Sequence, residues 1–268
     1  WAALLAAALR AFSLAPAHAK APKARQATSE LYQVGVIDAL LAGAYGGSQT
    51  LGTLRGHGTL GLGTFDGLDG EMVVLDGVVY QVPFDGVVRR PAMGVTTPFA
   101  QVVRFRPEGA ANLPAASNLK ALEAALDAAI TAKVGDLSRF AAVRLDADFA
   151  SLTARSVPRQ SPPFRPLAEV AKGQAVFRFE DVRGTLVGLR GPDFVRGLGV
   201  PGWHWHFLTQ DRTRGGHVLD CTLASGAEVS APFQTLRAMS LHLPKSGLSG
   251  MDLGRDRAGE LKAVESSK

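Results

Sequence analysis

The run Trp203-His204-Trp205-His206-Phe207-Leu208-Thr209-Gln210-Asp211-Arg212-Thr213-Arg214-Gly215-Gly216-His217 alternates aromatic and imidazole side chains before it reaches a polar, glycine-bounded turn. Side chains of a strand alternate between two faces, so His204 and His206 share one face while Trp203, Trp205 and Phe207 share the other. At a rise of roughly 3.3 Å per residue, the two imidazoles stand about 7 Å apart along the strand and can converge on one ion. If the chain reverses around Asp211-Arg212, the returning strand places His217 opposite that pair and on the same face. Three imidazoles with a fourth position left open follow the pattern of a catalytic zinc site, whereas structural sites are closed by four ligands and are rich in cysteine. Against this stands the blander reading of three polar side chains on a solvated strand face behind an aromatic core. Cys221 shares the strand parity of His217 but lies about 13 Å further along, so it reads as a small core hydrophobe.

Outward from this hairpin, the segments Gly173 to Glu180, Gly184 to Leu189, Gly216 to Leu223 and Ser240 to Leu243 read as further antiparallel strands. Upstream, Gly70 to Leu75 and Val78 to Val82 flank Asp76-Gly77, the dipeptide of a two-residue type I′ hairpin turn. Phe99 to Phe105 reads as a strand, and Phe140 to Phe149 as a half-buried one with Val143, Leu145 and Phe149 inward and Arg144, Asp146 and Asp148 outward. Leu31 to Gly43 reads as a short helix, and Asn118 to Lys133 as a longer one with Glu123 and Asp127 on its outer side and Gly135 as its cap. The fold class expected is therefore α+β: mixed and antiparallel sheets in two closely packed α/β subdomains, with the metal site on the C-terminal antiparallel sheet. Four prolines between Pro158 and Pro166 exclude a regular helix or central strand and mark the boundary. That divides the chain into a lead-in over 20–30, subdomains over 31–160 and 161–244, and a tail over 245–268.

The 268 residues suffice for a sizeable core. A net charge of +5, from 29 basic against 24 acidic residues, is scattered without a run that would track a phosphate backbone, so nucleic acid is not an expected partner. The alanine- and leucine-rich start, followed by Ala17-His18-Ala19, resembles a signal peptide over 1–19, and the expected location is periplasmic or secreted, with the cytoplasm as the alternative. No later stretch has the roughly 18 apolar residues that a membrane span needs. A single cysteine excludes an internal disulfide.

The run Gly61 to Met72, with Leu68-Asp69-Gly70-Glu71, the strand around Arg144 and the histidine segment, in that order, resembles the alpha-acetolactate decarboxylase family from about Leu31 onward. The resemblance implies a metal-dependent lyase, usually a homodimer, that converts 2-acetolactate to acetoin and carbon dioxide. It implies that His204, His206 and His217 bind Zn2+ or another divalent transition metal. Glu71 would be a carboxylate beside the metal, Arg144 the active-site arginine, and Thr64 and Leu68 would line the substrate pocket. A glutamate of the tail, Glu265 with Glu260 as the alternative, would also reach the metal. These residue types suit the chemistry, because electrons released with carbon dioxide can be held as an enediolate chelated to a divalent cation. A guanidinium offers a fixed fork for a carboxylate, and a desolvated carboxyl can relay a proton. Two other readings compete. A cupin-like metal enzyme wants a glutamate shortly after the paired histidines, where this chain has Gln210 and Asp211. A metal-stabilised binding protein would close the site with a fourth protein ligand.

Overall fold

Alternating β-branched and aromatic residues between tight turns place more of the chain in strands than in helices. In the computed structural model, which describes residues 29–224 and 229–265, the order begins β1 (Glu30–Val34), α1 (Ile37–Leu41), β2 (Gln49–Thr50), α2 (Leu51–His57), β3 (Leu60–Thr64), β4 (Glu71–Leu75) and β5 (Val78–Val82). It continues with β6 (Thr96–Thr97), β7 (Ala100–Val103), β8 (Gly109–Leu113), α3 (Leu119–Val134), β9 (Phe140–Ser156), α4 (Leu167–Val170) and β10 (Ala175–Gly191). The last elements are β11 (Gly202–Thr209), β12 (Gly215–Leu223), β13 (Val229–Leu236), β14 (Ala238–His242) and α5 (Ala258–Glu265). This is the mixed α+β fold expected. The segment proposed as a signal peptide lies outside the described residues.

Several local expectations hold for local reasons. Asp76 and Gly77 have φ of 53° and 74°, the left-handed pair of a type I′ turn, and join β4 to β5. Asn118 caps α3 by accepting from the amide of Ala121, and Gly135 ends the helix at φ 91°. The start of the chain differs: Leu31 to Val34 form a strand instead of the first turn of a helix, because β1 is clamped between β7 and β14. Pairing along both edges overrides a weak helical pattern.

Two six-stranded sheets carry the molecule, ordered β14-β1-β7-β3-β4-β5 and β10-β11-β12-β9-β13-β8, and a β2-β6 pair stands apart. The second sheet closes on itself, since β10 pairs with β11 along one edge and with β9 along the other. Its interior is an apolar core filled by Leu122, Leu126 and Ile130 of α3 together with Phe149, Trp205 and Phe207. A second core, including Leu62, Val73, Val187 and Leu208, lies between the sheets. The expected division near Pro158 does not describe the sheets. β8 and β9 from the first half of the chain build the second sheet, and β14 from the end of the chain pairs parallel to β1 in the first. Strand pairing over such sequence distances has no local signal.

Irregularities in β9 and β12 aim the side chains. Val143, Leu145, Ala147 and Phe149 share the interior core with Leu152 and Ala154, so the phase of β9 shifts by one residue between Phe149 and Leu152. The shift coincides with a register slip, in which Leu223 pairs with Phe149 and Thr222 with Ser151, leaving Ala150 as a bulge. Beyond it, odd-numbered side chains such as Arg155 face outward toward the first sheet. A second slip leaves Leu219 unpaired between Val218 and Asp220. It turns Cys221 into the interior core beside Val218, where it is buried and free.

Candidate metal centre

The hairpin between β11 and β12 turns at Asp211-Arg212, with Arg212 at φ 60°, and Asp211 accepts hydrogen bonds from the Thr209 hydroxyl (2.6 Å) and the Thr213 amide (3.0 Å). That turn sets the register in which His206 stands directly opposite His217. On the far face of β11, Trp205 and Phe207 enter the interior core and Trp203 packs at its margin. Gly188 lies opposite Trp205 in the register, and a Cβ there would sit 2.0 Å from the indole, so only glycine lets the ring lie across β10. Behind the histidines, the Trp205 indole N–H donates to Glu123 (3.1 Å) and the Trp203 indole N–H to Asp127 (2.8 Å), which also receives Arg190 (2.9 Å). Both acids were expected on the outer side of α3. One helical turn apart, they face β11 instead, because each indole needs an acceptor when it packs under the helix.

The imidazoles converge. His204, His206 and His217 are all buried, their centroids are 5.0 to 5.3 Å apart, and their candidate ligand atoms lie within 4.8 Å of one another. His206 Nδ1 is 2.7 Å from the Met72 carbonyl; a carbonyl only accepts, so Nδ1 carries the proton and Nε2 presents its lone pair. That Nε2, with His204 Nδ1 and His217 Nε2, has no hydrogen-bond partner. Burial depresses the pKa of His204 to about 3 and those of His206 and His217 well below the ordinary value, helped by the neighbouring Arg155 charge. Three neutral, buried imidazoles with unsatisfied nitrogens are costly alone and suited to a cation, since ligation requires the deprotonated ring.

Two carboxyls flank the rings. Glu71 Oε2 is 3.5 Å from His206 Nε2, and Glu265 Oε2 lies 3.7 Å from His204 Nε2 and 3.8 Å from His217 Nε2. Burial pushes each carboxyl up to about 7, against the opposing pull of Arg155. Glu260, the alternative tail carboxylate, is instead ion-paired with Arg255 and Arg257, so Glu265 is the one brought to the site. Thr64 and Leu68 line the same cavity as the histidines. The Thr64 hydroxyl is held by the Gly70 carbonyl at 2.7 Å, and Leu68 adopts φ 58°, an uncommon conformation for leucine that sets the loop before Glu71.

Arg144 does not reach this site. Its guanidinium is partly exposed and paired with Asp76 (2.8 Å) and Asp146 (2.7 Å) near the β4–β5 turn. The arginine beside the histidines is Arg155, directly opposite His217 in the β9–β12 register. It is buried, ion-paired with Glu71, and donates to the Val264 carbonyl at 3.4 Å. Strand alternation continued from Val143 puts Arg155 in the core; only the bulge at Ala150 reverses it. His57 and His242 stack on Tyr32 at 3.8 and 4.3 Å, away from the triad.

The family profile described as alpha-acetolactate decarboxylase matches residues 31–248. An alpha-acetolactate decarboxylase of Methanosarcina mazei is 42% identical over 240 residues, covering 89% of this chain and 81% of that protein. One from Raoultella terrigena is 38% identical over 239 residues, covering 88% and 90%. The crystal structure of alpha-acetolactate decarboxylase from Bacillus subtilis strain 168 superposes with a TM-score of 0.82 at 31% identity, covering 89% of this chain and 100% of that one. With the family profile, the related sequences and the superposed fold in agreement, the chain belongs to the alpha-acetolactate decarboxylase family.

Proposed function

We propose that the chain converts 2-acetolactate to acetoin and carbon dioxide at a divalent metal held by His204, His206 and His217, with zinc as the favoured ion. The observation that carries this reading is the set of three buried, neutral imidazoles, each keeping an unpartnered nitrogen, whose ligand atoms lie within 4.8 Å of one another in a cavity lined also by Glu71, Glu265 and Arg155. A tris-imidazole set with no thiolate suits zinc at a catalytic site. When bound, the ion supplies Lewis acidity toward the carbonyl and hydroxyl oxygens of a keto-hydroxy acid.

The protein groups divide the remaining work. Arg155, permanently charged and fixed by Glu71, presents a planar donor set that orients the departing carboxylate. Glu71 is committed to Arg155, so Glu265 is the carboxyl placed to deliver the proton that replaces carbon dioxide. Thr64 and Leu68 shape the wall that receives the methyl groups. No helix among the described residues is long and apolar enough to cross a membrane. A homodimer and export of the chain belong to the same reading; the resemblance to the family supports the first and the alanine-rich start supports the second. Sedimentation and N-terminal sequencing of the protein recovered from cells test them.

The deciding experiment restores zinc to purified protein and follows carbon dioxide and acetoin from 2-acetolactate. Turnover that a chelator abolishes is expected; folded, fully metallated protein that releases no carbon dioxide overturns the reading.

A further inference from the structure

The cavity enclosed by the histidines, Glu71 and Arg155 measures about 30 Å³. That is room for roughly two water molecules, too little for a five-carbon keto-hydroxy acid. Beside it opens a cleft of about 510 Å³, within the roughly 300–1,000 Å³ typical of small-molecule sites. The helix α5 stands between the two, and Glu265 at its end lines both.

We propose that this cleft is an outer binding site for the carboxylate of a small α-hydroxy acid, with Arg196 as the receiving cation and α5 as the movable wall through which the substrate reaches the histidines. The inference rests on the acetolactate reading for the identity of the natural ligand. Trp203, Val200, Pro201 and Leu261 give the cleft an apolar side for methyl groups. Of its four cations, Lys262 is already engaged, Arg255 and Arg257 are engaged by Glu260, and Arg257 also donates to the Asp252 carbonyl at 3.1 Å. Arg257 is buried and its Nε has no partner. Arg196, an exposed residue of the cleft lining, has no ion-pair partner among the described residues. The acids that line the cleft are Asp38, Asp256 and Glu265.

The wall is lightly held. Isolated helices this short are unstable in water, and α5 is anchored through Leu261 and Val264 in the apolar cluster that also contains Leu68 and Phe99. Its further ties to the site are the 3.4 Å hydrogen bond from Arg155 to the Val264 carbonyl and the contacts of Glu265 with His204 and His217. Displacing α5 therefore joins the cleft to the histidines and moves Glu265 with it.

The test uses full-length, zinc-loaded protein and 2-hydroxyisobutyrate, an α-hydroxy carboxylate that cannot lose carbon dioxide by this route. Because Trp203 lines the cleft, binding should change tryptophan emission saturably. Rim charges act mainly on capture, so Arg196→Glu should weaken this binding and lower kcat/KM for 2-acetolactate by about tenfold, while Arg196→Lys stays within about twofold of wild type. Zinc content should be the same in all three proteins. Binding and kcat/KM of Arg196→Glu equal to wild type overturn the cleft assignment. Absence of turnover in every variant overturns the lyase reading instead and leaves the emission comparison to decide the cleft.

Discussion

Arg155 of β9 and His217 of β12 are cross-strand partners, and the Arg155 guanidinium is at the same time ion-paired with Glu71 of β4 in the opposite sheet. One buried cation thus ties the histidine hairpin to the carboxylate facing it. Its charge helps keep the imidazoles neutral, and its neighbour Glu71 is the carboxyl nearest His206.

Arg155→Ala should abolish most carbon dioxide release. It should also destabilise the protein by roughly 3 kcal/mol, because removing one partner strands Glu71 in the interior. Arg144→Ala breaks only exposed pairs with Asp76 and Asp146, worth about 1 kcal/mol or less. Its rate should stay near wild type. Assaying the two variants side by side separates the arginines, and a slow Arg144→Ala with a normal Arg155→Ala would falsify the assignment.

His206→Ala should lose both metal and turnover, read by elemental analysis and carbon dioxide release. In the parent protein, chelation should lower the melting temperature. Ligand at about a thousandfold above its dissociation constant adds roughly 4 kcal/mol to a fold that binds it. His57→Ala lies outside the triad and should keep its metal.

Gly188→Ala should unfold the protein at lower temperature and weaken metal binding together. The added methyl would meet the Trp205 ring at 2.0 Å, and overpacking of this kind costs about 1–3 kcal/mol. Displacing Trp205 also displaces the flanking ligands His204 and His206. Melting curves recorded with and without zinc provide the check.

Glu123 makes stability depend on pH. Burial where α3 packs on β11 lifts its carboxyl from 4.5 to about 6, with the Trp205 indole N–H opposing the rise. A raised folded-state pKa means that its stabilising contribution is fully present below the unfolded value and is lost as pH climbs through about 6. Glu123→Gln removes that dependence. The wild-type melting temperature should fall relative to the variant between pH 4.5 and 6.5, and parallel curves across that range count against a buried carboxyl here.

The sequence alone determined what short-range geometry controls. Strand alternation placed His204 and His206 on one face, the Asp211-Arg212 turn brought His217 opposite them, Asp76-Gly77 closed its hairpin, and Asn118 and Gly135 bounded α3. Glu71, Thr64 and Leu68 came with the family resemblance, and all three line the cavity. Tertiary structure alone decided which arginine faces the metal ligands, which tail glutamate arrives, and where Glu123 and Asp127 point. A bulge such as that at Ala150 is a register mismatch between strands some 70 residues apart in the chain. It leaves no mark on local composition, yet it reverses every side chain beyond it. The same holds for β14, which finds β1 across nearly the whole chain, and for Glu265, whose place depends on how α5 packs against Leu68 and Phe99.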